Sequence, residues 1–325
     1  WNEPNLAMFW QPEPSVDLYS KLAVSVGKAI RETAPEERYI GPATSGFDWG
    51  FLEGVFQKGV LRYFDAVSVH PYRQTSPETV APDYARLRAI IDKHGPKGKS
   101  LPILSGEWGY SDIWQGQNPE LKANYVVRQY LSNLASGVNL SIYYDWKNDG
   151  QDPKEPEHHF GLLMHDLSPK PASLQLAFVA KELKGFKYLT DLSQDLSPEP
   201  GDEARVLLFG KGEQRKLALW SQSGRNHSVR LPLNPVKART AAMGEESEID
   251  VNPGKGITVT GSVQILTPNK VDGWLKGLSL LPGKETFATA TNEAETRQIL
   301  GKWLTQVSTA SQGRLTFLNG SGASA

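Results

Sequence analysis

Along the first 185 residues, apolar positions recur with two alternating periods. Residues 17–32, DLYSKLAVSVGKAIRE, place Leu18, Leu22, Val26 and Ile30 on one helix face. RYIGPATSG (38–46) reads as a buried strand running into a glycine-bearing loop, residues 50–62 as a short helix, and FDAVSVHPY (64–72) as a second strand. Residues 82–94 predict another helix with Tyr84, Leu87 and Ile91 on one side. LPILSGEWGYS (101–111) predicts a third strand. Asn118-Pro119 supplies a cap and a first-turn proline for a helix over 119–136. VNLSIYYDW (138–146) is a fourth strand and KPASLQLAFVAKELKGF (170–186) a last helix. Strands alternating with helices of this length predict right-handed βαβ units on a parallel sheet, with chemistry past the C-terminal strand ends.

After residue 188 the texture changes. ARVLLFG, RKLALWSQ, HSVRLPL, ITVTG and VQILTP are short β-type runs separated by Gly, Asn, Pro and charge, which predicts an antiparallel sandwich. Residues 291–306 could form a helix, and the closing NGSGASA has linker composition. The expected organisation is an α/β unit over 1–187, an all-β unit over 188–270, and a tail over 271–325 with one helix.

Composition narrows the function classes. The 325 residues carry a formal charge of −1, which gives no reason to expect nucleic acid or an anionic membrane as partner. Cysteine is absent, so disulfides, thiolate metal sites and a Cys nucleophile are excluded together. No run approaches the length of an apolar membrane span. There is no G-x-S-x-G for a serine hydrolase. GKS at 98–100 lacks the glycine a phosphate loop needs at position 93, where Lys93 stands. Of nine Trp, six fall in the first 146 residues, several in polar, loop-like company, as a carbohydrate cleft would require.

Two strand ends hold carboxylates in similar dress: WNEPN with Glu3 and SGEWG with Glu107. A pair of this kind can divide acid and nucleophile roles in glycoside hydrolysis, one carboxyl protonating the leaving oxygen while the other attacks or activates water. HPY (70–72) ends the second strand and YYDW (143–146) the fourth, adding His70, Tyr72, Asp145 and Trp146. Trp108, next to Glu107, should face the other way and pack behind the site. Trp10 and Trp114 lie in loops that could carry outer sugar subsites. DGQDPKEPEHHF (149–160) gathers Asp152, Glu155, Glu157, His158 and His159 in a spacing that matches no metal signature; a solvent-facing lid over the mouth suits it better. No metal or cofactor is expected.

These motifs, in this order and with this count of strands between them, resemble the clan A retaining glycoside hydrolases, in particular family 39 and cellulase-like members of families 5 and 51. The resemblance covers residues 1–185; the all-β unit is matched only by type. It implies a (β/α)8 TIM barrel followed by a small sandwich, with Glu3 ending barrel strand 4 and Glu107 ending strand 7. It also implies that Glu3 is the acid/base, Glu107 the nucleophile, and Asn2 the group that binds the sugar 2-hydroxyl. His70 and Tyr72 would reach into the pocket to orient the nucleophile, and Trp146 would form the sugar platform. Barrel strands 1–3, most of strand 4 and a pocket Arg would then lie outside this sequence. The implied partner is a β-linked glycan or glycoside, and the implied compartment secreted or periplasmic in a bacterium. The competing expectation is a barrel that binds carbohydrate without cleaving it. Sugar, linkage, endo or exo action and oligomeric state are not legible.

Overall fold

A computed structural model of the chain describes residues 1–193, 204–229, 236–251 and 256–268, together with the strands 288–290 and 316–318. The first half is a mixed α/β unit on a parallel sheet. Its strands are β1 (Ile40–Ser45), β2 (Ala66–His70), β3 (Ile103–Trp108) and β4 (Ser141–Tyr143), adjacent in that order and parallel throughout. Helices α1 (Val16–Thr33), α2 (Trp49–Gln57), α3 (Ala81–His94), α4 (Pro119–Ala135) and α5 (Pro171–Glu182) alternate with them. Every residue of β2 is buried, as a strand covered on both faces must be. The helix expected over 50–62 divides at Gly59, whose φ of 77° only glycine adopts without penalty, so Val60–Arg62 continues as a separate 3-10 turn.

Helix α1 sits differently from its own periodicity. Leu18, Leu22 and Val26 are exposed, while Tyr19, Ser20, Ala23 and Gly27 face inward. The inward face is rotated by one residue, about 100°, because the contact is a close one. A Cβ on Gly27 would stand 2.6 Å from Cβ of Tyr63. Small residues allow that approach where a leucine ridge would not.

The segment after α5 forms a six-stranded antiparallel sheet in the order β10-β9-β12-β7-β6-β5. Its strands are β5 (Lys187–Asp191), β6 (Ala204–Lys211), β7 (Gln214–Ser221), β9 (Val236–Ala242), β10 (Glu245–Val251) and β12 (Gln264–Pro268). A two-stranded sheet joins β8 (His227–Val229) to β11 (Ile257–Val259). Side-chain alternation divides the large sheet between two cores. Leu207, Phe209, Ala218 and Trp220 pack with α4 and α5, whereas Val206, Leu208, Leu217 and Leu219 pack with Val229, Ile257 and Val259.

Two further strands, β13 (Ala288–Ala290) and β14 (Thr316–Leu318), return to the parallel sheet, with β14 beside β4 and β13 beside β14. The expected helix over 291–306 and the terminal NGSGASA lie outside the described residues. No helix among the described residues is long and apolar enough to cross a membrane.

Candidate active site

The C-terminal ends of β1, β2 and β3 converge on one polar cluster, and Glu3 joins it from the turn before α1. The Glu3 N–H donates to Ala43 O at 3.0 Å, so the WNEPN turn docks on β1 much as a further strand end would. Asn5 completes the docking: its amide nitrogen donates to Ser45 O at 3.0 Å while its oxygen accepts from Ser45 N at 2.9 Å. Glu3 and Ala43 both have positive φ, 42° and 59°, a conformation that costs non-glycine residues about 1–3 kcal/mol.

A break in the strand ladder lies beside each acid, at the Ala43 that holds Glu3 and at Glu107 itself. The β1–β2 register shifts between Pro42 and Thr44, at Ala43, and the β3–β4 register shifts between Ser105 and Trp108, at Gly106-Glu107. Bulges re-aim side chains at strand ends. Here one presents a carbonyl to Glu3 and the other turns Glu107 into the cluster. The glycines of SGEWG follow from the same crowding. A Cβ on Gly106 would collide with Ser68 Oγ and press on the His70 ring at 3.3 Å; one on Gly109 would collide with the Tyr144 carbonyl.

His70, at the end of β2, stands between the acids. Its Nδ1 is 2.9 Å from Glu3 Oε1 and 3.8 Å from Glu107 Oε2. Tyr72 Oη donates to Glu107 Oε1 at 2.6 Å. Burial, then the nearby Glu107 carboxylate, pushes the Tyr72 phenol far above its ordinary range, so it remains a donor at any working pH. Glu3 and His70 are buried and Glu107 is partly open. Ligand atoms of Glu3, His70 and Glu107 all lie within 4.8 Å of one another. Among the described residues this is the set that could coordinate a cation, although both carboxylates already have a hydrogen-bond partner. The histidines of 149–160 are engaged otherwise: His158 Nδ1 accepts from Asp152 N at 3.0 Å, and His159 Nε2 lies 2.9 Å from Asp152 O.

The other sequence candidates are placed unevenly. Asn2 is exposed. Asp145 and Trp146 follow β4 and are half-buried; Asp145 Oδ1 accepts from Lys147 N at 2.8 Å. Burial and then the Asp149 carboxylate raise the Asp145 pKa to about 6. Trp10 packs edge-on to Tyr19 at 5.9 Å and meets Trp1 at 5.3 Å, so part of its ring serves the core. Trp114 stands perpendicular to Phe160 at 5.0 Å. Trp108 is fully buried beneath the Arg73 guanidinium, 5.6 Å away, behind the site rather than in it.

Several contributors carried no readable signal. Tyr144 and Phe160 wall Tyr72, with ring centroids 6.4 and 6.1 Å from it. Lys122, inside α4 and fully buried, donates from Nζ to the carbonyls of His159, Phe160 and Gly161 at 2.8, 2.9 and 2.9 Å. Lys170 reaches Asp112, Asn148 Oδ1 and His159 O beside it. These two ammonium groups fasten the segment that carries Phe160. A lysine in a helix reads as surface until its partners are known. Asn5 could have been suspected, since Asn in turns pairs with main chain.

No family model matches the chain. A curated beta-xylosidase from Geobacillus stearothermophilus is 27% identical over 196 residues, 53% of this chain and 38% of that protein. Among solved structures, a family 39 glycoside hydrolase from the gut symbiont Bacteroides cellulosilyticus superposes with a TM-score of 0.66 and 25% identity, covering 83% of this chain and 57% of that one. A family 39 beta-xylosidase from Caulobacter crescentus gives a TM-score of 0.53 at 20% identity, covering 83% and 66%. The chain thus spans less than two thirds of the length of these relatives. The likeness read from the sequence, to clan A glycoside hydrolases and family 39 above all, is also what sequence and fold comparison find.

Proposed function

We propose that the protein is a retaining glycoside hydrolase with Glu3 as acid/base and Glu107 as nucleophile. The single observation that carries this reading is the approach of the two carboxylates, with one oxygen of each within 4.8 Å. Retaining enzymes hold their carboxyl groups about 5–5.5 Å apart, while inverting ones leave about 6.5–9.5 Å for a water.

In the first step the Glu107 carboxylate attacks the anomeric carbon as the glycosidic C–O bond breaks. Glu3 gives its proton to the departing oxygen. The product is an ester between the sugar and Glu107. In the second step Glu3, now a carboxylate, removes a proton from water as that water attacks the same carbon, releasing Glu107 and restoring the configuration. Tyr72 holds one oxygen of Glu107, leaving the other to attack; His70 occupies one oxygen of Glu3, leaving the other for the transferable proton. Asn2 is read as the partner of the sugar 2-hydroxyl, Trp146 as its stacking platform, Asp145 as a rim ligand, and Trp10 and Trp114 as outer contacts.

Within this reading β1 to β4 are strands 5 to 8 of a (β/α)8 barrel with Glu3 at the end of strand 4, residues 1–187 are its domain, and 188–270 form a sandwich. A β-linked glycoside, xylosides first, fits the named relatives, and an exported protein fits a polymeric substrate. The test is turnover of aryl β-glycosides. Glu107→Gly should abolish it and sodium azide should restore it with formation of an inverted glycosyl azide. Saccharide binding that persists without turnover in the parent protein would identify a non-catalytic carbohydrate-binding barrel instead.

A further inference from the structure

Among the described residues, two buried carboxylates, Glu78 and Glu182, have no place in the chemistry above. Glu78 lies in the 3-10 turn Pro77–Val80, on the connection from β2 to α3 that begins with Pro71-Tyr72. It is 8% exposed and receives four donors. Arg128 of α4 supplies Nε to Oε1 and Nη2 to Oε2, both at 2.7 Å; Ser76 Oγ donates to Oε2. The fourth donor comes from the antiparallel sheet, where the fully buried indole of Trp220 on β7 donates Nε1–H to Oε1 at 2.6 Å. A second tie runs from Arg128 Nη2 to the carbonyl of Gln222, the residue after β7, at 2.8 Å. Burial alone would raise the Glu78 carboxyl, but the guanidinium and the hydroxyl outweigh it and hold it below the ordinary range, so the group is an anion that needs its donors.

The connection has further ties, with Val80 in the core and the Arg73 guanidinium over the Trp108 ring. Arg73 closes it on itself through Pro71 O, Thr79 and Asp83. Tyr110 Oη donates to Thr75 O at 3.2 Å, and Gln117 to Gln74 O at 3.1 Å. Charge-assisted bonds to a buried carboxylate are about twice as strong as neutral ones, so Glu78 is the firmest anchor of the segment. The opposite end of that segment is Tyr72, whose hydroxyl grips Glu107.

We infer that Trp220 is a positioning residue: through Glu78 it fixes the connection that carries Tyr72, and so makes the antiparallel sheet a working support of the active site. The role taken for Tyr72 rests on the glycosidase reading. The sheet here is neither an independent sugar-binding module nor a passive appendage.

Trp220→Phe keeps most of the apolar volume and deletes the donor. In the full chain it should raise amide hydrogen exchange over residues 72–80 by about tenfold, the worth of one hydrogen bond to a charged group, and leave residues 103–105 of β3 unchanged. With an aryl β-xyloside, kcat should fall several-fold while KM moves less than about twofold. In a Tyr72→Phe background the same substitution should leave kcat unaltered, because a device acting through Tyr72 has nothing left to position. Ser76→Ala, which loosens the same anchor with little change in volume, should shift exchange and kcat in the same direction by less, and decides the matter if Trp220→Phe does not fold. Unchanged exchange over 72–80, or losses of kcat that simply multiply in the double variant, would overturn the inference. A parent protein without turnover would defeat the glycosidase reading alone, since exchange still reports whether Trp220 holds the segment.

Discussion

His70 Nδ1 lies 2.9 Å from Glu3 Oε1 although 67 positions separate the two residues, and both side chains are buried. A buried carboxyl that lost this partner would bear its desolvation uncompensated, a cost of about 1–3 kcal/mol. His70→Phe should therefore lower kcat by about 10- to 100-fold with little change in KM. Steady-state kinetics on an aryl glycoside checks this. An unaltered kcat would mean that the ring only fills space.

Tyr72 makes a different kind of contact, a 2.6 Å bond from a neutral phenol to Glu107. Tyr72→Phe removes a hydrogen bond to a charged group, worth about 1.5–3 kcal/mol, and leaves the ring against Phe160 and Tyr144. The expected result is a loss of kcat of about tenfold or more, with a fall in melting temperature of several degrees. Both quantities can be measured on one preparation.

Lys122 predicts a stability effect. Burial pushes its ammonium pKa well below the ordinary lysine value, with Asp112 opposing, and three consecutive carbonyls accept from it. Lys122→Met would match the stem but strand those carbonyls and leave Asp112 to Lys170 alone. A loss of about 3–5 kcal/mol is expected, together with faster proteolysis at 156–161. Chemical denaturation and limited proteolysis read the two effects separately.

Asp145 gives the pH dependence its sign. Burial and Asp149 raise its folded pKa from about 3.8 to about 6, so the folded state binds the proton more tightly than the unfolded chain between those values. This group's contribution to stability is complete below pH 3.8 and is lost as pH rises through 6. Asp145→Asn keeps an acceptor for Lys147 N and removes the titration. Its melting temperature should gain on the parent steadily from pH 4 to pH 7 in thermal scans. A difference that stays flat across that range would refute the assignment.

Helix α1 and the Glu78 anchor show where sequence reading stops. Pattern placed α1 correctly in the chain, but not its inward face, because Gly27 and Ala23 let the helix lie close to Tyr63 and the leucines were left outside. Local hydrophobicity describes one element, whereas packing is a property of two. That the Trp220 N–H meets a carboxylate 142 residues away was not readable. The strands β13 and β14 are three residues each, too short to carry a period, and only the free edge of β4 gives them a register.

What the sequence determined by itself was the succession of β1 to β4 with their helices, and with it which side chains stand at the strand ends, His70, Tyr72 and Glu107; the docking of Glu3 beside them is a tertiary contact. Period and turn chemistry are local, and parallel strands put their C-terminal residues on one side. The tertiary structure alone decided the separation of the acids, the bulges at Ala43 and Gly106-Glu107 that aim them, and the buried lysine and tryptophan that hold the surrounding segments. Those depend on donors meeting acceptors across long stretches of chain, and no local pattern encodes such a meeting.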